Sequence, residues 1–536
     1  MRQQVPWGPM TFLLHQSIAA SAERDAAHAA FRFDGAALTY GALFDRAARL
    51  ASILVREGVR PGDRVGVYMT KCLDLPVALY GILQAGAAYV PIDPAAPLPR
   101  IRLIAGDCGI RHLITNASRE RRARQLAATL PMLTMVIGTD AGELTDVPSR
   151  FLPWDVLDHT EPDPPDIRIT EQDLAYIMYT SGSTGAPKGL MHTHASGLAY
   201  ARLSARTYGV GPDDRLGNHS PLHFDMSTFE FLTGPLCGAT TVIIPEEATM
   251  FPLTLAELIE RERLTLWYSV PLALIQLLTG GQIERRDTRS LRWVMFGGEP
   301  FPQKYLWQLM DLWPHARFSN VYGPAEVNQC TFHHVTRADR EHGGPIPIGT
   351  VWENAEGLIV DEHDEIVPCG TAGELLVRTP TMMRGYWNRP DLNQKAFFTQ
   401  ETVPGLPLTF YRTGDLVRER EDGSLVFLGR RDRQIKVRGH RVELDEVEAV
   451  LCSFDQVAEA AAVPSTDGEG AIEIVAAVLP RAGESLAGDD LRRKASEHLP
   501  AYAVPRRIEI RSSMPRTGTG KIDRARLATM LNEQRH

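Results

Sequence analysis

The sequence predicts an α/β protein. A large N-terminal domain of parallel-sheet α/β subdomains ends in a small β-rich subdomain, and a small α+β C-terminal domain follows. Three observations carry this. Strand-length apolar runs alternate with helical patterns from about residue 38 to about residue 323, as in parallel sheets. From about residue 350 the runs shorten and glycine turns separate them. Around residues 429–433 the composition becomes strongly basic, and a compact α+β segment follows. The expected domains are 1–431, with the β-rich part at about 350–431, and 432–536. At 536 residues, length alone asks for about three to four structural units.

Residues 38–40 read as a short strand-like step into a helix over 40–57, whose Leu43, Ala47, Leu50 and Leu54 share one face. After the turn Pro61-Gly62-Asp63 comes a buried strand at 64–69, a helix over 74–85, and strands at 87–93 and 112–115. Residues 140–170, rich in Pro and Asp, read as a long surface connection. Further strands are expected at 240–244, 264–268, 291–296 and 318–323. Several end in polar or glycine-containing turns, Gly297-Gly298-Glu299 among them, where a parallel sheet collects its ligands. Short β runs at 357–360 and 373–377 mark the β-rich part; a helix at 444–452 and a strand at 472–478 mark the C-terminal domain.

Composition narrows the function. With 44% hydrophobic and 23% charged residues the chain is globular, and its net charge of −9 opposes general binding to nucleic acid or an anionic membrane. No signal peptide and no run of about 18 apolar residues is evident. Cys72, Cys108, Cys237, Cys330, Cys369 and Cys452 are scattered singly, so neither a disulfide framework nor a zinc site is indicated. A reduced, cytoplasmic protein is the expectation.

The stretch Tyr179-Thr180-Ser181-Gly182-Ser183-Thr184-Gly185-Ala186-Pro187-Lys188-Gly189 follows an apolar strand-length run. Its glycines permit close backbone approach, its hydroxyls donate hydrogen bonds and Lys188 adds positive charge, which suits an anion cradle. It is not a Walker loop, because no Gly-Lys-Ser/Thr ends it. A flexible Ser/Gly surface loop has the same composition.

Later motifs change the balance. Phe224-Asp225-Met226-Ser227, Asn320-Val321-Tyr322-Gly323-Pro324-Ala325-Glu326, Tyr411-Arg412-Thr413-Gly414-Asp415-Leu416, Gly429-Arg430-Arg431-Asp432-Arg433-Gln434-Ile435-Lys436-Val437-Arg438-Gly439 and Gly520-Lys521-Ile522-Asp523-Arg524 follow in order. With the Ser/Gly loop, the chain from about Leu38 to Arg524 resembles the adenylate-forming superfamily, specifically the amino-acid adenylation domains of nonribosomal peptide synthesis. The resemblance implies that ATP and Mg²⁺ are used and that Thr180, Ser181, Gly182, Ser183, Thr184, Gly185 and Lys188 hold the departing pyrophosphate. It implies Glu326 as metal ligand and Tyr322 against adenine, whose polar edge meets Asn320 or Gly297-Gly298-Glu299, beside Gly323. Asp415 would accept from the ribose hydroxyls with Arg430 in support, and Lys521 would assist the reaction. Asp432 matches the hinge about which a mobile C-terminal domain turns, withdrawing Lys521 and presenting residues 436–439 to an incoming thiol. Ala325 and Thr519 depart from the usual Thr and Asn of the pattern; neither change removes a charge.

Asp225 implies the substrate class: its position pairs with an ammonium group, and leaving a buried carboxylate unpaired costs roughly 3–5 kcal/mol. Met226, Phe229, Tyr268, Val294, Phe296, Val321, Gln329 and Cys330 are expected to line the pocket, with Phe229 and Phe296 shortening it. The expected substrate is a small or compact apolar amino acid, proline or a short aliphatic one foremost, with a β-amino acid as competitor. The family's next step passes the aminoacyl group to the phosphopantetheine thiol of a carrier protein. Twelve residues follow Arg524, too few for a fused carrier, so the expectation is a separate carrier loaded in trans. An acyl-CoA ligase and a non-catalytic binding protein are the rivals. His192, His194, His219 and His223 have no metal spacing, and none is assigned as a base: a carboxylic acid is already ionised at neutral pH.

Overall fold

The computed structural model describes residues 11–140, 149–163, 165–182, 186–467, 471–517 and 522–533. Two compact units result. One comprises Met1–Pro94, Cys108–Met178 and Gly189–Arg431; the other comprises Ala95–Asp107, Tyr179–Lys188 and Asp432–His536.

Among the described residues of the first unit are two large, mostly parallel sheets. In one the order is Gly385–Tyr386, Lys188–Thr193, Leu174–Thr180, Ala88–Pro91, Arg64–Tyr68, His112–Thr115, Met135–Ile137 and Arg150–Leu152. The last strand, with a short 3₁₀ turn at Trp154–His159, lies inside the stretch expected to be a surface connection. Its three residues are too few for an alternation to show. In the second sheet, Arg317–Tyr322, Trp293–Gly297, Leu266–Ser269, Arg215–Asn218, Thr240–Ile243 and Ala29–Phe33 run parallel. Antiparallel strands close its two edges: Thr331–Val335 with Thr350–Val351 at one, and Ala36–Thr39 at the other. The strand-like step before the first long helix is therefore the second arm of a hairpin with Ala29–Phe33.

That helix, Tyr40–Arg56, begins at Thr39, whose hydroxyl accepts from the Ala42 N–H at 3.2 Å as an N-cap. Leu43, Ala47, Leu50 and Leu54 are buried on one stripe. The stripe packs on the helix Asp74–Gln84 so closely that a Cβ at Gly81 would lie 2.7 Å from the Leu50 side chain. The β-rich part is an antiparallel sheet of Glu356–Val360, Ala372–Arg378, Phe397–Val403, Leu406–Glu419 and Leu425–Arg430.

In the second unit, Gln434–Val437 and His440–Glu443 form a hairpin leading into the helix Leu444–Cys452. Val457–Thr466, Ile472–Pro480 and Arg507–Ile510 form its sheet. Two earlier pieces of the chain pack here: Arg100 pairs with Glu446 at 2.5 Å in a buried ion pair, and the Ser181 hydroxyl donates to the Arg441 carbonyl at 3.0 Å. Among the described residues, no helix is long and apolar enough to cross a membrane.

The tight helix pair gives a stability test. Leu50→Ala empties a site that Gly81 shapes by having no side chain, and is expected to destabilise the first unit by about 2–5 kcal/mol. The readout is the lowest unfolding transition of the full chain in heat or urea.

Candidate active site

Asp225, Tyr322, Glu326, Asp415 and Arg430 belong to the first unit. Asp415, in Leu406–Glu419, is opposite Arg430 in the strand register. The Arg430 guanidinium donates to its Oδ1 at 2.6 Å, and the two side chains are only 15% and 7% exposed. The Tyr322 hydroxyl donates to Asp415 Oδ2. Burial, with the Asp415 charge second, pushes the Tyr322 phenol well above its usual range, so it stays a donor. An ionised carboxylate is acceptor-only, which suits the hydroxyls of a sugar.

From Tyr322 the chain makes a closed loop, with the Cys330 N–H returning to the Tyr322 carbonyl at 3.0 Å. A Cβ at Gly323 would fall 2.2 Å from the Asn328 carbonyl, so only glycine fits this turn. Asn328 takes a left-handed φ of 59°. Inside the loop Glu326 is fully buried; Tyr386 donates to its Oε1 at 2.7 Å, and its carbonyl accepts from the Met383 N–H at 2.7 Å. Tyr386 is 60 residues away, and no sequence signal marks it as a partner. Among the described residues no cluster of three metal-ligating side chains exists. A cation of the magnesium type takes one or two protein carboxylates and draws its remaining ligands from phosphate and water, and a single buried carboxylate such as Glu326 is compatible with that.

Asp225 opens a 3₁₀ turn, Asp225–Ser227, that runs into a π-helical turn, Phe229–Thr233. Such turns are rare and concentrate at functional sites. Thr228 donates to the Asp225 carbonyl at 2.5 Å and accepts from Asn328 Nδ2 at 3.0 Å, tying the acidic loop to the Glu326 loop. Phe229 meets Tyr268 edge-on at 6.0 Å, and Met226, Phe229, Tyr268 and Val321 share one buried cluster. Gln329 is buried and donates to the Tyr208 hydroxyl at 3.3 Å; Cys330 is buried, and burial pushes its thiol up, so it is an inert wall.

Two expected lining residues pack apart from that cluster. Side chains on Trp293–Gly297 alternate, so Val294 and Phe296 lie on the other face of the sheet, with Trp267, Leu274 and Phe301. Trp293 and Met295 face Tyr268 and Val321. The strand's register against Leu266–Ser269 was the signal that a buried apolar run could not supply. Gly297 ends this strand, where a Cβ would lie 2.3 Å from the Val321 carbonyl; exposed Gly298 has a left-handed φ of 90°, and Glu299 is half-buried. The Asn320 side-chain amide donates to the Pro347 carbonyl at 2.8 Å, so its N–H₂ group already has a backbone partner.

In the Ser/Gly loop, a Cβ at Gly182 would fall 2.0 Å from the Ala186 carbonyl. The Thr180 hydroxyl is buried with no hydrogen-bond partner among the described residues, which fits a donor kept for an anion's oxygen. Lys188 begins the strand Lys188–Thr193. Ser183, Thr184, Gly185 and Lys521 lie outside the described residues. Asp432 is exposed, and its Oδ1 accepts from the Gln434 N–H at 3.1 Å.

Behind the acidic loop is a polar core the sequence did not announce. Lys71 is buried and donates to the Asn218 and His219 carbonyls at 2.9 and 2.8 Å. Burial lowers its amine to about 8, opposed by Glu230 and Glu246. Asn218 Nδ2 donates to Glu230 Oε2 at 3.2 Å. Burial pushes the Glu230 carboxyl up from 4.5 to about 8, opposed by Asn218 and Lys71. Burial also holds His192 near 4, and His194 and His219 near 3, so all three are neutral at pH 7.

The family model described as AMP-binding enzyme matches residues 18–387, and that described as AMP-binding enzyme C-terminal domain matches residues 446–521. An L-proline–(L-prolyl-carrier protein) ligase of Pseudomonas fluorescens is 34% identical over 520 residues, 97% of this chain and 99% of its own length. A ligase of the same name from Streptomyces coelicolor is 35% identical, covering 91% of each chain. Among solved structures, the Vibrio cholerae adenylation domain AlmE, in complex with glycyl-adenosine-5'-phosphate, superposes with a TM-score of 0.83 at 25% identity, covering 99% of both chains.

The Glu230 proton yields a pH prediction. Its folded pKa lies above its unfolded one, so its contribution to stability is highest below pH 4.5 and falls as pH rises to about 8. Glu230→Gln removes that titration and keeps a hydrogen-bonding partner for Asn218. The variant's Tm minus that of the unaltered chain is expected near zero at pH 4.5 and increasingly positive towards pH 8.

Proposed function

The chain belongs to the AMP-binding enzyme family, and from that premise we propose that it is an ATP-dependent ligase that joins an amino acid to AMP and passes the aminoacyl group to the phosphopantetheine thiol of a carrier protein. The observation that carries this reading is the acid at Asp225, braced through Thr228 and Asn328 to the loop bearing Glu326 and set beside a largely apolar cluster. An apolar wall with one acid suits a small amino acid and leaves a fatty or aryl acid with nothing to offer the carboxylate.

In the first step a carboxylate oxygen of the substrate attacks the α-phosphorus of ATP; the new P–O bond forms as the bond to the β-phosphate breaks and pyrophosphate leaves. The substrate acid is already ionised, so no proton is removed and no base is required. The barrier is electrostatic, because two anions meet. In this reading Asp415 and Arg430 hold the ribose, Tyr322 lies against adenine beside Gly323 and the Gly297-Gly298-Glu299 turn, and Thr180, Ser181, Ser183, Thr184 and Lys188 steer the pyrophosphate past Gly182 and Gly185. Glu326 would hold Mg²⁺, which would supply positive charge against the phosphates. Lys521 supplies positive charge between the carboxylate and the α-phosphate. Asp225, Met226, Phe229, Tyr268, Met295, Val321, Gln329 and Cys330 form the amino-acid pocket.

In the second step the carrier thiolate attacks the acyl carbon; the C–S bond forms, the bond to AMP breaks, and the thiol proton passes to solvent. Asp432 serves as the hinge between the two steps. Proline or a short aliphatic amino acid is the substrate of choice, a reading supported by the two proline ligases among the relatives. A cytoplasmic location belongs to the same reading.

Amino-acid-dependent ATP–pyrophosphate exchange over a panel of α- and β-amino acids tests this. L-Proline or a short aliphatic amino acid is expected to give the fastest exchange, and none with any member would refute the proposal. Lys521→Ala is expected to lower exchange by about 100-fold or more, the scale of losing one transition-state electrostatic contact, with the fold intact by circular dichroism. Loading of a holo-carrier protein is expected to outrun transfer to free CoA; the reverse order would assign an acyl-CoA ligase.

A further inference from the structure

Asp225 lies on the segment between Asn218, the last residue of the strand Arg215–Asn218, and Glu230 in the π-helical turn. The side chains of Asn218 and Glu230 close the neck of this segment: Asn218 Nδ2 donates to Glu230 Oε2 at 3.2 Å and to the Ser220 carbonyl at 3.1 Å. Inside it, the Ser227 hydroxyl donates to the Phe224 carbonyl at 2.6 Å. The Met226 N–H donates to Asp225 Oδ1 at 3.1 Å, which fixes how the carboxylate is turned. The far end is moored by Asn328 Nδ2 on the Thr228 hydroxyl at 3.0 Å. The near end is moored by Lys71, which follows the strand Arg64–Tyr68 of the other large sheet. Lys71 is 8% exposed, and its ammonium donates to the Asn218 and His219 carbonyls at 2.9 and 2.8 Å. Taking an ammonium out of water is costly, but its long stem and three donors let one side chain hold both carbonyls. Asn218 is also held by its strand neighbours, whereas His219 begins the loop.

We propose that Lys71 is a positioning residue for substrate binding: through the Asn218 and His219 carbonyls it sets the course of the loop that brings Asp225 to the substrate's amino group. This rests on the amino-acid ligase reading above. In this role Lys71 acts through the backbone and does not touch the substrate. With the ammonium removed, the loop loses two donors where it leaves the sheet, while its Thr228 end stays moored. The start of the loop can then shift, and a charge pair weakens as its partners are misplaced. The effect is selective, because Asp225 serves the amino group alone. A shift of its loop weakens ligands that carry an ammonium and spares ATP and acids without nitrogen.

Lys71→Met in the full chain is the test, because it keeps a stem of similar length and removes the three donors. ATP–pyrophosphate exchange is measured with the amino acid that the unaltered chain uses best. The acid of the same skeleton without nitrogen, cyclopentanecarboxylate where that amino acid is L-proline, is measured as an inhibitor. The expected result is a rise of about tenfold in KM for the amino acid, the scale of one charge-assisted hydrogen bond, with KM for ATP and the inhibition constant within about twofold. Lys71→Gln, whose amide can still donate to a carbonyl, is expected in between at about threefold, and carries the test should Lys71→Met not fold. An unchanged amino-acid KM in the variant that folds overturns the inference, Lys71 then serving stability alone. A matching rise in KM for ATP or in the inhibition constant overturns it too, since the whole site would then have loosened. If the unaltered chain shows no exchange with any amino acid, the ligase reading falls and takes this inference with it. If the unaltered chain is active and the variants equal it, only the inference falls.

Discussion

The carboxylate of Asp415 joins parts of the chain that have no local reason to meet. It stands on a strand of the antiparallel β-rich sheet, takes a guanidinium hydrogen bond from Arg430 on the next strand, and accepts the phenol of Tyr322 at the end of a strand in the large parallel sheet. Leaving such a buried carboxylate without a cationic partner would be costly, and Arg430 supplies one. With Tyr322 anchored, the loop to Cys330 closes on itself, and Glu326 is carried to Tyr386. Through Asn328 and Thr228 the same loop fixes the Asp225 turn. The candidate ligand groups are thus set by a chain of hydrogen bonds that starts at one acid.

Close behind that chain, the interior is more polar than packing alone would choose. Lys71 holds two backbone carbonyls, Glu230 accepts from Asn218 and is pushed towards its neutral form, and the Thr180 hydroxyl is buried without a partner among the described residues. The first two follow the rule that buried polar groups are matched, and the third departs from it. The apolar part of the core follows the rule without exception at the helix pair around Leu50 and Gly81.

Much of the architecture was readable before any contact was known. The helix beginning at Tyr40 announced itself through spacing, because one face must meet a core, whereas the helix beginning at Asp74 and the strand at His112 are buried nearly throughout and showed as apolar runs. What failed to show was set by pairing. The edge strand Thr331–Val335 carries two histidines and a threonine, and exists because Arg317–Tyr322 offers it an open edge. Arg150–Leu152 is three residues long and reads as loop. The π turn at Phe229–Thr233 has no sequence mark distinguishing it from an α-helix.

For the site, residue type and motif order were enough to single out Asp225, Glu326, Asp415 and Arg430, because charged groups amid apolar neighbours need a chemical reason. Contacts across the chain settled their partners. Val294 and Phe296 pack on one side of their strand, and Met295 between them packs on the other. A strand buried on both faces is apolar at every position, so its sequence does not say which face looks towards a ligand. Only the neighbours on either side of the sheet give the strand a front and a back.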